Sequence, residues 1–271
     1  MTISSYSHLT AGAAFFLLFA GGLVTSTGSG LAVPDWPLAN GQYFPPMKGG
    51  ILFEHGHRII AGIVALLTLG LAAWSQRRAV ARPVRIFAVI AAGAILVQAV
   101  LGGVTVLYGL SKPVSILHAC LGQGVFALLV AAAQEAAGPV RGGSEVRSGT
   151  STLGLILIAA LFGQLAAGAV LRHFGFGLPW HLLGAAAVVA AAGAVCWRTF
   201  GGVAEPLVGP VMVIAGAVPV QLFLGVVALV FRMRERAPGA VIPSLHLAVG
   251  ALLLGAAVTW TVRARSLERT P

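Results

Sequence analysis

The chain has 271 residues, 58% of them hydrophobic and 9% charged, with a formal net charge of +10 and a mean hydropathy of +0.95. A soluble globular domain of this composition would expose a very large apolar surface, so lipid is the solvent for most of the chain. The basic residues fall in short runs between apolar stretches of roughly 20 residues, the length of a bilayer core; this pattern makes them topology signals and excludes a basic nucleic-acid-binding face.

The first apolar stretch, from Leu9 to Val24, has no basic lead and no small-residue cleavage pattern after it, so it is expected to remain as a span rather than be removed as a signal peptide. Taken in chain order, apolar runs and polar breaks predict eight helices at about 9–28, 51–74, 84–108, 114–134, 152–171, 178–197, 207–231 and 241–262. Runs this long and continuously apolar suit helices, whose backbone groups are satisfied internally, rather than the alternating strands of a membrane barrel. The expected fold class is an all-α polytopic membrane protein.

Between spans one and two lies TSTGSGLAVPDWPLANGQYFPP, rich in Gly, Pro and aromatic residues. Trp36 and Tyr43 suit the interfacial belt, and the prolines suggest a rigid cap over the outer end of the first helices; interfacial anchoring alone is the competing reading. Span two opens with Phe53-Glu54-His55-Gly56-His57-Arg58. Residues three and four apart share a helix face, so Glu54, His57 and Arg58 are expected to point together and His55 elsewhere. Glu54 reads either as a buried acid beside a reactive group or as a local partner of Arg58 and the helix dipole. Arg58 could instead pair with a ligand carboxylate.

The connector SQRRAVARPVR, with Arg77, Arg78, Arg82 and Arg85, is expected to be cytoplasmic. The same side then collects Arg141, Arg147, Arg198, Arg263, Arg265 and Arg269, which places both termini inside. Lys48, Lys112, Arg172 and the trio Arg232, Arg234 and Arg236 fall opposite; the trio runs against the bias and is alternatively a contact for an anionic ligand at the membrane surface.

The later spans repeat. VQAVLGGVTV is followed by SILHACLGQ, GQLAAGAVL by PWHLLGA, and VQLFLGVVALV by PSLHLAVGA. Each is a hairpin with Gln in the odd helix and His early in the even one. The opening pair, FAGGLVTSTGSG and FEHGHRIIAG, has no matching Gln. Four hairpins give two pseudo-symmetric four-helix halves, 1–140 and 141–271, a layout that places sites at equivalent depths. Gln98, Gln164 and Gln221 are expected in interhelical packing, as are the pairs Gly21-Gly22 and Gly102-Gly103.

Of seven histidines, His57, His118, His181 and His246 all begin even-numbered helices and so should form one outer layer. Intramembrane polar groups are costly and face a bundle interior or a cofactor. Imidazole suits iron, and two facing helices can clamp one heme, so His57 with His118 and His181 with His246 are expected as two heme sites. Structural histidines bonded across helices are the alternative. His8 and His173 are expected in solvent, Cys120 and Cys196 as small hydrophobes without a disulfide.

The residues TGSGLAVPDWPL, then NGQ and PP, with FEHGHR in span two and single histidines in spans four, six and eight, resemble the heme A synthase family over nearly the whole chain. The resemblance implies oxidation of a methyl group of heme O to the formyl group of heme A, through a hydroxylated intermediate, for terminal oxidases. It implies that Glu54, His57 and His118 serve the substrate heme, that His181 and His246 ligate a heme b, and that Arg58 contributes to binding. It also implies a bacterial-type inner membrane and, as partners, heme O synthase, terminal oxidase assembly factors and an electron donor, with self-association left open. Many members carry cysteines in the external loops. Here that stretch reads PDWPLANGQ, with Ala39 and no cysteine. A bis-histidine electron-transfer cytochrome is the alternative function, and a repeat-built transporter ranks last.

Overall fold

The computed structural model describes residues 1–140, 146–202, 205–233 and 239–269, with backbone alone at 232 and 233. Arg141, Arg234 and Arg236, used in the charge count, lie outside the described residues, as does the side chain of Arg232. The chain folds into eight helices: α1 Ile3–Ser26, α2 Gly50–Ser75, α3 Arg82–Leu107, α4 Lys112–Ala136, α5 Thr150–Phe174, α6 Leu178–Phe200, α7 Glu205–Met233 and α8 Val241–Glu268. All eight are long and apolar enough to cross a membrane, and among the described residues the sole β pairing is an isolated bridge between Ala39 and Gln42. This is a multi-pass all-α membrane protein.

Local chemistry explains the helix ends. Proline occupies the first turn of α3, α4 and α6, where a missing N–H costs nothing. Gly175 ends α5 in the left-handed conformation at φ 86°, which frees the chain to turn into α6. α1 begins near residue 3 rather than 9 because Thr2 caps it and because Ser7 and Thr10 donate their hydroxyls to carbonyls one turn back. α8 runs past 262 because Ser266 and Glu268 tie its last turns to Val140 and Ser151.

The packing forms two closed rings of four. In the first, α1 packs on α2, α2 on α3, α3 on α4 and α4 back on α1; α5, α6, α7 and α8 close in the same way. Among the described residues, the diagonal helices of each ring, α2 with α4 and α6 with α8, make no extended contact. The rings join through α1, α4, α5 and α8. Inside the second ring Trp260 of α8 is fully buried, donating its indole N–H to Thr199 of α6 at 3.0 Å. Gly22 lies against the Ser244 backbone, with 3.4 Å from an added Cβ to its Cα. Small residues permit such approach where lipid offers no hydrophobic drive. Phe16, Leu66, Trp197 and Phe223 face outward on the apolar perimeter.

Candidate functional site

Each odd helix delivers a glycine from its last turns to a histidine in the first turns of the next helix. An added Cβ at Gly21 would lie 3.1 Å from the Cε1 of His57; at Gly102, 3.2 Å from His118; at Gly168, 3.0 Å from His181; at Gly225, 3.2 Å from His246. Four antiparallel hairpins therefore present four imidazoles in the same local setting. Cross-ties between the ends hold them on one side: Arg172 at the end of α5 donates to Ser26 at the end of α1, and Ser244 at the start of α8 donates to the same hydroxyl.

Gln98, Gln164 and Gln221 stand four residues before their glycines. Each puts its Nε2 3.4 Å from the Nε2 of His118, His181 and His246 respectively, and Gln98 also donates to the His118 carbonyl at 2.9 Å. The expectation of interhelical packing thus resolves into contact with the histidine itself. In α1 the equivalent position, four residues before Gly21, is Leu17.

In the second ring the expected pairing brings two imidazoles together across the diagonal: the His181 and His246 ring centroids are 6.5 Å apart at 62°. A metal–imidazole bond of about 2 Å on each side, plus roughly 1.2 Å from nitrogen to ring centre, requires about 6.4 Å between the centroids of two imidazoles on one metal. Among the described residues no three His, Cys, Asp or Glu side chains group to hold a bare ion. Two imidazoles across a gap between diagonal helices fit a metal that arrives with a planar set of its own ligands. The Nδ1 atoms of all four histidines are buried without a partner, as expected of rings whose second nitrogen awaits an acceptor on loading.

Above the first ring, the segment between α1 and α2 is held by a clamp. Glu54, 3% exposed, accepts the Arg58 guanidinium at 2.6 Å on one oxygen and the Val33 amide at 2.8 Å on the other. Arg58 donates through Nη1 to the carbonyls of Asp35 and Leu38, and through Nη2 to that of Val33. The local Glu54–Arg58 pair is therefore formed, and all four Nη hydrogens are engaged by the cap and Glu54, leaving Nε for any further acceptor. The reason is steric: the turn of 33–38 directs three carbonyls at the start of α2, and Arg58 supplies a fork of donors there.

The rest of the cap closes on itself. The Asp35 carboxylate accepts the amides of Asn40 and Gly41; the Gly41 amide first, then that of Asn40, hold its carboxyl below the usual carboxylate range. His55, 6% exposed, contacts the Tyr43 carbonyl at 3.0 Å, so it points into the cap and away from His57. The indole of Trp36 fills the space beside Gly103, where an added Cβ would lie 2.7 Å from Cδ2. The Gly102-Gly103 pair thus makes room for an imidazole and an indole, not for a neighbouring helix as expected; in Gly21-Gly22 only Gly22 serves helix approach. The signal that would have found this is the spacing Q-x-x-x-G in three odd spans and L-x-x-x-G in the first.

Outside the layer, His8 contacts the Ser4 carbonyl at the far end of α1. His173 belongs to the last turn of α5, not to a loop. Cys120 and Cys196 are free thiols.

Residues 47–180 match a family described as cytochrome oxidase assembly protein, COX15-CtaA. The match covers Glu54, His57, Arg58 and His118 and stops one residue before His181. The chain is 36% identical over 112 residues to the heme A synthase of Bacillus licheniformis, covering 41% of this chain and 37% of that protein. It is 34% identical over 166 residues to the heme A synthase of Shouchella clausii, covering 58% and 54%. It is also 33% identical over 118 residues to the protoheme IX farnesyltransferase of Halobacterium salinarum, covering 44% and 27%. The chain spans between about a quarter and about half of the length of these curated relatives.

Proposed function

We propose that this chain, whose residues 47–180 match the COX15-CtaA family of cytochrome oxidase assembly proteins, is a heme A synthase, an oxidoreductase converting a methyl group of heme O to a formyl group by way of a hydroxylated intermediate. The substrate enters from the bilayer and its iron lies between His57 and His118, in the half made of residues 1–140. His181 and His246, in residues 141–271, ligate a heme b. The observation that carries this reading is the pairing of two imidazoles across a gap between diagonal helices, with ring centres 6.5 Å apart in the second ring.

The bound heme b supplies one-electron redox capacity within the membrane. The protein's own groups position the substrate and shield it. His57 and His118 fix the macrocycle in the outer layer, below the cap. Trp36, seated against Gly103 next to the glycine that cradles His118, would cover that end of the bound substrate. Glu54 holds two donors already, so its part is to stabilise positive charge developing during oxidation and to keep the cap closed, rather than to deliver a proton. The Nε of Arg58 is the donor for a substrate propionate.

Both termini lie on the side away from the histidine layer, with Arg77, Arg78, Arg82 and Arg85. A bacterial-type inner membrane with cytoplasmic termini is supported by that asymmetry. The likeness of 118 residues to part of a protein named protoheme IX farnesyltransferase supports supply of heme O by such a transferase, with terminal oxidase assembly factors downstream.

The test is chromatography with mass detection of hemes extracted from membranes that contain this chain and a source of heme O. Heme A or its hydroxylated precursor, above an empty-vector control, is the expected result. Retention of heme b alone, under conditions in which a known family member makes heme A, would replace the enzyme with an electron-transfer cytochrome.

A further inference from the structure

Each cradle glycine is followed, one helical turn nearer the outer surface, by a residue on the same face of its helix: Thr25 after Gly21, Val106 after Gly102, Arg172 after Gly168 and Leu229 after Gly225. Three of these are neutral and one is a cation. An added Cβ at Gly168 would lie 3.0 Å from the Cε1 of His181, so Arg172 stands on the wall of the second ring that faces this histidine, one turn further out. Its Nη2 donates to the Ser26 hydroxyl at 3.0 Å. The same hydroxyl accepts from Ser244, two residues before His246, at 3.1 Å. The guanidinium is therefore bracketed by the helices that carry both members of the second pair.

No carboxylate answers this charge. Among the described residues Glu54 and Arg58 form the one ion pair, and the two acids of the outer end, Asp35 and Glu54, are committed to the cap. A guanidinium has five N–H donors in a planar fork that suits a carboxylate; Ser26 takes one of them. Lys112, at the start of α4, adds a second cation at this end of the molecule, its ammonium 5.3 Å from the centre of the Phe174 ring. A heme brings carboxylates of its own, the propionates on one edge of the macrocycle. With the iron between His181 and His246, these charges belong at the outer surface rather than in hydrocarbon, which is the side on which Arg172 stands.

We propose that Arg172 is the propionate anchor of the second pair: it fixes the rotation of the macrocycle about the iron, with the carboxylates outward, and Ser26 holds the guanidinium in place. The proposal rests on the reading that His181 and His246 hold a heme. It makes α1, from the other half of the molecule, the support of that anchor.

The experiment compares two hemes that differ only in these carboxylates. The purified full chain carrying His57→Ala and His118→Ala, so that the second pair alone binds, is loaded with protoheme or with protoheme dimethyl ester. Loss of each to excess apomyoglobin is followed by absorbance. With Arg172 in place, the ester should leave about fivefold faster than protoheme, the upper end for an ion pair open to water. In Arg172→Gln the protoheme rate should rise to nearly that of the ester, whose own rate stays unchanged. Arg172→Lys, which keeps the charge, should retain most of the preference for protoheme. A preference that survives Arg172→Gln overturns the proposal. So does an equal quickening of both hemes, which is the mark of a loosened fold rather than of a lost anchor. If a variant that also carries His181→Ala and His246→Ala still binds protoheme with an unchanged spectrum, the reading of the second pair as a heme site fails instead, an outcome distinct from a bound heme that ignores residue 172.

Discussion

Buried Glu54 and half-buried Arg58 form an ion pair, 2.6 Å between carboxylate oxygen and guanidinium nitrogen, and through it one turn of α2 holds the cap by four further hydrogen bonds, to the Val33 amide and to the carbonyls of Val33, Asp35 and Leu38. Removing one member of a buried pair typically costs about 3–5 kcal/mol, because the other charge stays buried alone. Arg58→Ala should therefore release the cap. Limited chymotrypsin digestion around Trp36, Tyr43 and Phe44 should quicken at least about tenfold, since 1.4 kcal/mol of lost local stability is a factor of about ten. Arg58→Lys should fall between, as an ammonium has no planar fork for these acceptors. A digestion rate equal to wild type in Arg58→Ala would show that the cap is held by something else.

The cradle glycines predict opposite signs for one type of substitution. Gly12 has open space around it, whereas an added Cβ at Gly168 meets His181 at 3.0 Å. Gly12→Ala should raise stability by about 0.5–1 kcal/mol through helix propensity. Gly168→Ala should turn the imidazole away and lower heme affinity about tenfold or more while the helix content holds. Soret absorbance per protein, beside circular dichroism, reads both effects; equal heme content in the two variants would remove the cradle role.

Gly103 supports the cap from below. An added Cβ there lies 2.7 Å from Cδ2, 2.9 Å from Cε2 and 3.0 Å from Cε3 of Trp36, closer than packed atoms tolerate, so Gly103→Ala should eject the indole. Overpacking of this kind costs roughly 1–3 kcal/mol. Measured in a background with the other tryptophans replaced, the Trp36 emission should shift toward the red and become more open to an aqueous quencher. An unchanged spectrum would mean that the helix, not the indole, had moved.

Asp35 gives the cap an acid limit. Its carboxyl lies below the ordinary 3.8 because it accepts first the Gly41 and then the Asn40 amide. A depressed folded value contributes stability above the unfolded value, and that contribution is lost as pH falls through the lower folded value. Hydrogen-exchange protection of the Asn40 and Gly41 amides, corrected for intrinsic rates, should be steady from neutral pH down to about 4 and then decline. Asp35→Asn should lower the protection at neutral pH and flatten the acid limb. If the decline persisted in Asp35→Asn, another group would be responsible.

The sequence by itself determined the eight spans, the all-α class, the single layer of four histidines and the hairpin repeat that places them. Span length and hydropathy are local properties of each segment, and an imidazole in the first turns of four successive even helices falls in one layer whatever the packing. It also put Glu54 and Arg58 on one face, since four residues make about one turn. Only the tertiary structure decided what those side chains touch. Arg58 turned to the cap because carbonyls 20 to 25 residues earlier in the chain converge on it. Gly102 and Gly103, neighbours in sequence, serve His118 and Trp36 because adjacent positions on a helix face different directions. The three glutamines became histidine contacts, and Leu17 the exception, only when antiparallel hairpins set positions 17 to 25 residues apart side by side. Hydrogen-bond partners and close packing depend on which segments meet, and that is a property of the assembled bundle rather than of any one span.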